Sequence, residues 1–455
     1  MRPSLSESKA RWLVLSGAGV SVVGDGILLT GLAWSVIVVT GSAVQLSVVL
    51  AAISITLLAI APFSGQILDL RRGPSYLACS ESLAGVTLLG AAGLLTVIRP
   101  SLIFFLLLGC SVSLFSSLSG PGLPIMVARL SSEEQRPNAI SRAQVAVRAG
   151  RICGPLVGGV LVATGDFRFC CVADAASYLI SAGCWFLSRR LLFRPDSGPR
   201  GTGDSPGRLS RLTAGLRFVT GDPYLRGLIL VALVANSSLS FVTVTVPLLV
   251  KDSLHEGSAA YGFMQASFQA GLLVSSAVLA VSKLPARLAG GRGKLGLSLT
   301  ALGASFALMG LARNIVLAAV AILVAGVCLS LTSVISDTKL VTDVPPELQG
   351  RVFGVVGSLF GALRPAGSLL GGGVAAVLGV TPATAIAGAA LALTGGAYQL
   401  GRRTPAQAAP PKAAPAPPKA APPKAAPPKA APPKTPECDA QKVSPGGLQP
   451  GKLTE

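Results

Sequence analysis

Histidine is nearly missing from this sequence, with His255 alone among 455 residues. That excludes a histidine-built metal site, and with His255 expected to be solvated in an outer loop there is neither a Ser/His catalytic pair nor an HExxH stretch. Charge is scarce too: Asp, Glu, Lys and Arg make up 13% of the chain, and the 19 acidic residues are half as many as the 38 basic ones. A soluble chain of this length needs far more charge to cover its surface, so water is excluded as the main solvent. No GxxxxGK[ST] stretch occurs, which excludes direct use of ATP through a P-loop. The eight cysteines include no CxxC pair, so they read as small apolar packing residues and no metal or cofactor is expected.

Apolar residues fill the space instead, at 51% of the chain. A spanning helix needs about 20 mostly apolar residues, and lipid forces every such stretch to be helical. Twelve are found, over 12–39, 43–68, 76–98, 101–127, 141–163, 169–188, 225–250, 258–282, 294–312, 315–340, 353–379 and 382–400. The fold class is therefore an all-α integral membrane protein. Lys and Arg mark one side: Arg2, Lys9 and Arg11, then Arg71 and Arg72, then the cluster from Arg189 to Arg226, then Lys283 to Lys294. The other side holds only Arg99, Arg168, Lys251 and Arg313. The positive side is predicted to be cytoplasmic, which puts both termini there. The +19 net charge is then topology signal plus a lysine-rich tail, and needs no nucleic acid to explain it.

The chain divides into six spans (1–190), a cytoplasmic linker with a short amphipathic helix around Leu209 to Phe218 (191–224), six more spans (225–400) and a tail (401–455). Internal similarity supports two related sixes. A shift of 213 residues lays Arg151-x-x-Gly154-x-x-x-Gly158-Gly159 on Arg364-x-x-Gly367-x-x-x-Gly371-Gly372, and Glu134 on Glu347. Two pseudo-symmetric bundles of six helices are the layout of a duplicated transporter. In the tail Pro-Pro-Lys recurs at 410–412, 417–419, 422–424, 427–429 and 432–434, which predicts an extended, disordered segment. It reads either as a solubilising spacer or as a tether to anionic lipids, where each lysine adds about 1 kcal/mol.

Two motifs carry a family resemblance. Gly65-Gln66-Ile67-Leu68-Asp69-Leu70-Arg71-Arg72-Gly73, between the second and third spans, resembles the cytoplasmic signature of the major facilitator superfamily. In the fifth span Gly150-x-x-x-Gly154-Pro155-x-x-Gly158-Gly159 resembles that superfamily's antiporter signature, with Ser141 where an earlier glycine is usual. Asn138-Ala139, Asp174-Ala175-Ala176-Ser177-Tyr178 and Pro346-Glu347-Leu348-Gln349-Gly350-Arg351-Val352 are similar to the branch of enterobactin-exporter-like and macrolide-efflux-like permeases. The resemblance implies the major facilitator fold, with Gly65, Asp69, Arg71 and Arg72 in a cytoplasmic gate. Asp69 would sit against the positive N-terminus of the eleventh helix. It also implies that Gly150, Gly154, Pro155, Gly158 and Gly159 bring helices five and eight together, with Pro155 bending the helix.

Intramembrane charges are functional candidates by default. Asp25, Arg151 and Arg364 fall at similar depths, and Arg148 lies one turn before Arg151. Asp25 is expected to be the main proton-coupling carboxylate, or else one partner of a static ion pair with Arg. Glu81 is a second proton-coupling candidate, or a structural partner of Arg129, Arg142 or Arg148. Gln144, Asn236, Tyr261, Gln265, Gln269 and Phe360 are candidates to line the cavity, although polar residues also glue helices together. The function this predicts is proton-coupled export, by alternating access, of a small amphiphilic molecule such as a drug, macrolide or siderophore. The rivals are an uptake permease of the same fold and a non-transporting scaffold or sensor acting through the tail. An inner-membrane monomer is expected.

Overall fold

The computed structural model describes residues 5–68, 73–119, 123, 126–127, 136–192, 223–281, 292–344 and 346–400. They form twelve long helices: α1 Leu5–Thr40, α2 Ala43–Leu68, α3 Gly73–Leu94, α4 Leu102–Ser119, α5 Arg136–Thr164 and α6 Phe167–Leu192, then α7 Pro223–Leu248, α8 Ser258–Val281, α9 Arg292–Gly310, α10 Ile315–Asp343, α11 Pro346–Leu378 and α12 Val380–Leu400. Each apolar stretch of the sequence becomes one helix, and α2 matches its predicted bounds. Eleven are long and apolar enough to cross a membrane on those grounds alone. The other, α9, opens on Arg292 and Lys294, which dilute its hydropathy. The gate residues Asp69, Arg71 and Arg72, the linker helix near 209–218 and the tail lie outside the described residues.

Short breaks separate the helices. α1 ends at Gly41, whose φ of +62° turns the chain, and the Ser42 hydroxyl accepts from the Gln45 N–H at 3.3 Å to start α2. Gly379, at φ +82°, divides α11 from α12 in the same way. Asn314 caps α10 by accepting from the Leu317 N–H at 2.8 Å. A five-residue π-helical turn, Leu249–Ser253, extends α7. We call the side where α1 begins the near side and the opposite side the far side.

The helices pack as two copies of one arrangement. In the first half α1 packs on α5 and α6, α3 on α4 and α6, and α2 on α4. In the second half α7 packs on α11 and α12, α9 on α10 and α12, and α8 on α10. The joint between halves repeats as well, α5 meeting α8 where α11 meets α2. Lipid gives apolar surfaces little reason to associate, so close backbone approach has to hold such contacts. The repeated glycines supply it. A Cβ on Gly158 would lie 2.7 Å from the Ile27 carbonyl oxygen of α1, and one on Gly371 would lie 2.9 Å from that of Phe241 on α7. Gly159 meets Ser258 and Gly262 of α8, while Gly372 meets Ala43 and Ser47 of α2.

Candidate functional site

Asp25 lies on α1 beside the α1/α5 crossing, where Gly26 abuts Gly154 and Pro155. Its half-buried carboxylate accepts a 2.7 Å hydrogen bond at Oδ1 from the Tyr178 phenol of α6. The Ser116 hydroxyl of α4 stands beside that phenol in turn. Arg151, one turn before Gly154 on α5, acts electrostatically on Asp25 without a contact ion pair. The structure places Asp25 within electrostatic reach of Arg151, and Tyr178 is its direct hydrogen-bond donor. Arg364 occupies the equivalent place on α11 and is exposed.

Arg148 faces the joint between halves. Its Nη1 donates to Ser276 Oγ of α8 at 3.1 Å, and Ser276 meets Ser330 of α10 at 3.1 Å. A cavity of about 220 Å³ opens there, lined by Gln144, Val147, Arg148, Arg151, Gln269 and Leu272. Two of the sequence candidates, Gln144 and Gln269, line it. Two others sit elsewhere: Tyr261 is buried and stacks on Trp34, centroids 6.0 Å apart, and Phe360 packs against the hydrophobic core. Asn236 and Gln265 are half-buried on α7 and α8 and do not line it.

Far of this cavity the halves are closed. Trp34 and Tyr261 join α1 to α8, Lys251 Nζ donates to the Ile37 carbonyl at 3.2 Å, and the Ser258 hydroxyl donates to the Gly159 carbonyl at 2.9 Å. The glycine run of α5 differs here from its expected role. Gly150, Gly154 and Gly158 face α1, and only Gly159 with the Pro155 carbonyl meets α8. The reason is periodicity: residues four apart share one helix face, and Gly159 starts the adjacent one.

Glu81 is buried on α3 and accepts at Oε1 from Trp185 Nε1 of α6 at 3.1 Å, while Arg129 and the Arg142 side chain, two of its expected partners, lie outside the described residues. Arg148 is engaged with Ser276, so it is not that partner. Sequence reasoning also left Asp174 without a role. It is fully buried on α6, with Ser177 donating to its Oδ1 at 3.0 Å. The polar spacing 174, 177, 178, 181, 185 marks one helical face and was the available signal.

The sequence model of the Major Facilitator Superfamily matches residues 14–368. The enterobactin exporter EntS of Shigella flexneri is 28% identical over 371 residues, covering 78% of this chain and 82% of that protein. The uncharacterised transporter YfiS of Bacillus subtilis (strain 168), of the same type, is 24% identical and covers 88% of this chain and 95% of its own length. Among solved structures, a bacterial homologue of the human lysosomal transporter Spinster, inward-facing and unoccupied, aligns with a TM-score of 0.63 at 13% identity, over 88% of this chain and 95% of that one. The nucleoside transporter NupG aligns with a TM-score of 0.66 at 12% identity, over 86% and 98%.

Proposed function

The chain belongs to the Major Facilitator Superfamily, and from that premise we propose that it exports a small amphiphilic molecule in exchange for protons. It is a multi-pass membrane transporter, not an enzyme. In the proposed reading it sits in the inner (plasma) membrane as a monomer, with the near side and both termini cytoplasmic. The distribution of Lys and Arg supports that orientation. Siderophores, macrolides and other drugs are the candidate cargoes, the first suggested by the exporter of enterobactin among the relatives.

One observation carries the reading. Asp25 stands at the α1/α5/α6 junction with Tyr178 on its carboxylate, and Arg151 reaches it from a helix that also walls the cavity. A carboxylate there costs energy unless it is neutralised by a proton or by a nearby cation. Rocking of the halves moves the second half past Arg151, which changes what surrounds that arginine at the joint and with it the balance between those two ways. Cargo in the cavity touches the same arginine, so cargo and proton act on one charged group. The far-side contacts of Trp34 with Tyr261 and of Lys251 with Ile37 must part before cargo can leave by that side.

The test is uptake of enterobactin, erythromycin and ethidium by everted vesicles with an imposed proton gradient. The reading expects concentrative uptake of at least one of them, abolished by a protonophore. Uptake indifferent to the protonophore would refute proton coupling, and uptake only into right-side-out vesicles would refute export.

A further inference from the structure

Outside the cavity, buried side-chain oxygens without a hydrogen-bond partner gather at one interface. Among the described residues, buried side-chain oxygens of Tyr76, Glu81, Asp174 and Ser181 lack a partner in hydrogen-bond geometry. All four lie on α3 or α6. Ser181 and Asp174 are fully buried, Glu81 is 5% exposed, and no packing argument explains why polar atoms should be left unpaired there.

Their order along the helices is as informative as their number. Tyr76 lies three residues from the near end of α3, and Glu81 about 8 Å deeper at 1.5 Å per residue. Glu81 Oε1 takes the Trp185 N–H, its Oε2 finds no donor in hydrogen-bond geometry, and the Ser181 hydroxyl lies beside the carboxyl group. One turn further along α6 lie Ser177 and Asp174, and Tyr178 on the same face holds Asp25. Gly24 of α1 makes the room: a methyl group there would overlap the Asp174 carboxylate and the Ser177 hydroxyl. The groups acting on Glu81 are Ser181, Trp185 and Asp25, and those on Asp174 are Ser177 and Asp25. Cys184 also faces Glu81, Cys170 and Cys171 face Asp174, and Arg151 acts on Asp25.

We propose that the α1/α3/α6 interface is a proton path separate from the cargo cavity, running from Asp25 through Asp174, Ser177, Ser181 and Glu81 to Tyr76 at the near side. It rests on the reading of Asp25 as the proton-coupling carboxylate. Each transfer breaks one O–H bond and forms another, with water as carrier between side chains. A proton leaving Asp25 restores that carboxylate and ends in near-side water, so the path loses one positive charge overall. The free oxygens of Asp174, Ser181 and Glu81 are the acceptor positions such a chain requires. The cavity, on the other side of α5, is left to the cargo.

Trp185 supplies a cargo-free test, because its indole is bonded to Glu81. In full-length protein carrying Trp12→Phe and Trp34→Phe, Trp185 is the remaining tryptophan. A stopped-flow pH jump is expected to change its emission. Glu81→Gln should abolish the change, and Tyr76→Phe should slow it at least threefold. Thr87→Ala, whose hydroxyl donates only to the Leu83 carbonyl of its own helix, should leave it as it was. Emission that ignores the jump, or responds equally in Glu81→Gln protein of unaltered melting temperature, overturns the path whatever the cargo panel shows. Asp25→Asn should keep the Trp185 response while losing proton-driven uptake. A retained response with full proton-driven uptake would remove Asp25 from the account and leave the Glu81 end standing.

Discussion

The Tyr178 phenol donates to Asp25 Oδ1 at 2.7 Å, tying α6 to α1 across 153 residues of sequence. A hydrogen bond to a charged acceptor contributes about 1.5–3 kcal/mol, roughly one to two orders of magnitude in an equilibrium. It also fixes which way the carboxylate points with respect to Arg151.

Tyr178→Phe is therefore expected to lower proton-driven uptake about tenfold, the lower end of that range. Exchange of cargo across a membrane without a gradient should change by less than twofold, since the phenol does not line the cavity. Parallel measurements in proteoliposomes check this, and equal losses in both assays would give Tyr178 a role in cargo binding or folding.

The repeat makes a paired prediction. Gly158→Ala and Gly371→Ala each push a methyl group against a backbone carbonyl, of Ile27 and Phe241 respectively. Overpacking of this kind costs about 1–3 kcal/mol. Both variants should melt at lower temperature by similar amounts, whereas Gly90→Ala, with open space around its Cβ position, should not. Thermal unfolding in detergent is the measurement.

The far-side closure depends on aromatic contact between halves. Trp34→Ala removes the ring stacked on Tyr261 and leaves Lys251 and Ser258 to hold α1 and α5 against the second half. Spin labels at the exposed positions Val38 and His255 should then show a longer or broader distance distribution than in the protein with Trp34 intact. An unchanged distribution would mean that the stack does not contribute to closure.

The helices were legible because lipid leaves the backbone no alternative, so hydropathy alone gives their number and nearly their ends. The repeat was legible because its marks, three glycines and an arginine, recur at a fixed spacing. The direction in which those glycines look was not. Gly154 and Gly158 meet α1 because of how α5 is rotated, which a glycine pattern leaves open. Asp25 and Arg151 could be paired on depth, but Tyr178 and Asp174 could not be assigned, because their meaning comes from the face of α6 that α1 covers. The partner of Glu81 could not be assigned for a related reason. Among arginines in the sequence an ion pair is the natural guess, yet among the described residues an indole and a serine hydroxyl face the carboxylate.

Proton coupling at Asp25 is tested most directly by proton flux itself. Proteoliposomes holding a pH-sensitive dye report protons that enter as cargo leaves, with whichever of enterobactin, erythromycin or ethidium the vesicles accept. The protein is expected to move protons against cargo, and Asp25→Asn to exchange cargo with proton movement reduced at least tenfold. Cargo-linked proton movement at the original rate in Asp25→Asn protein would contradict the account.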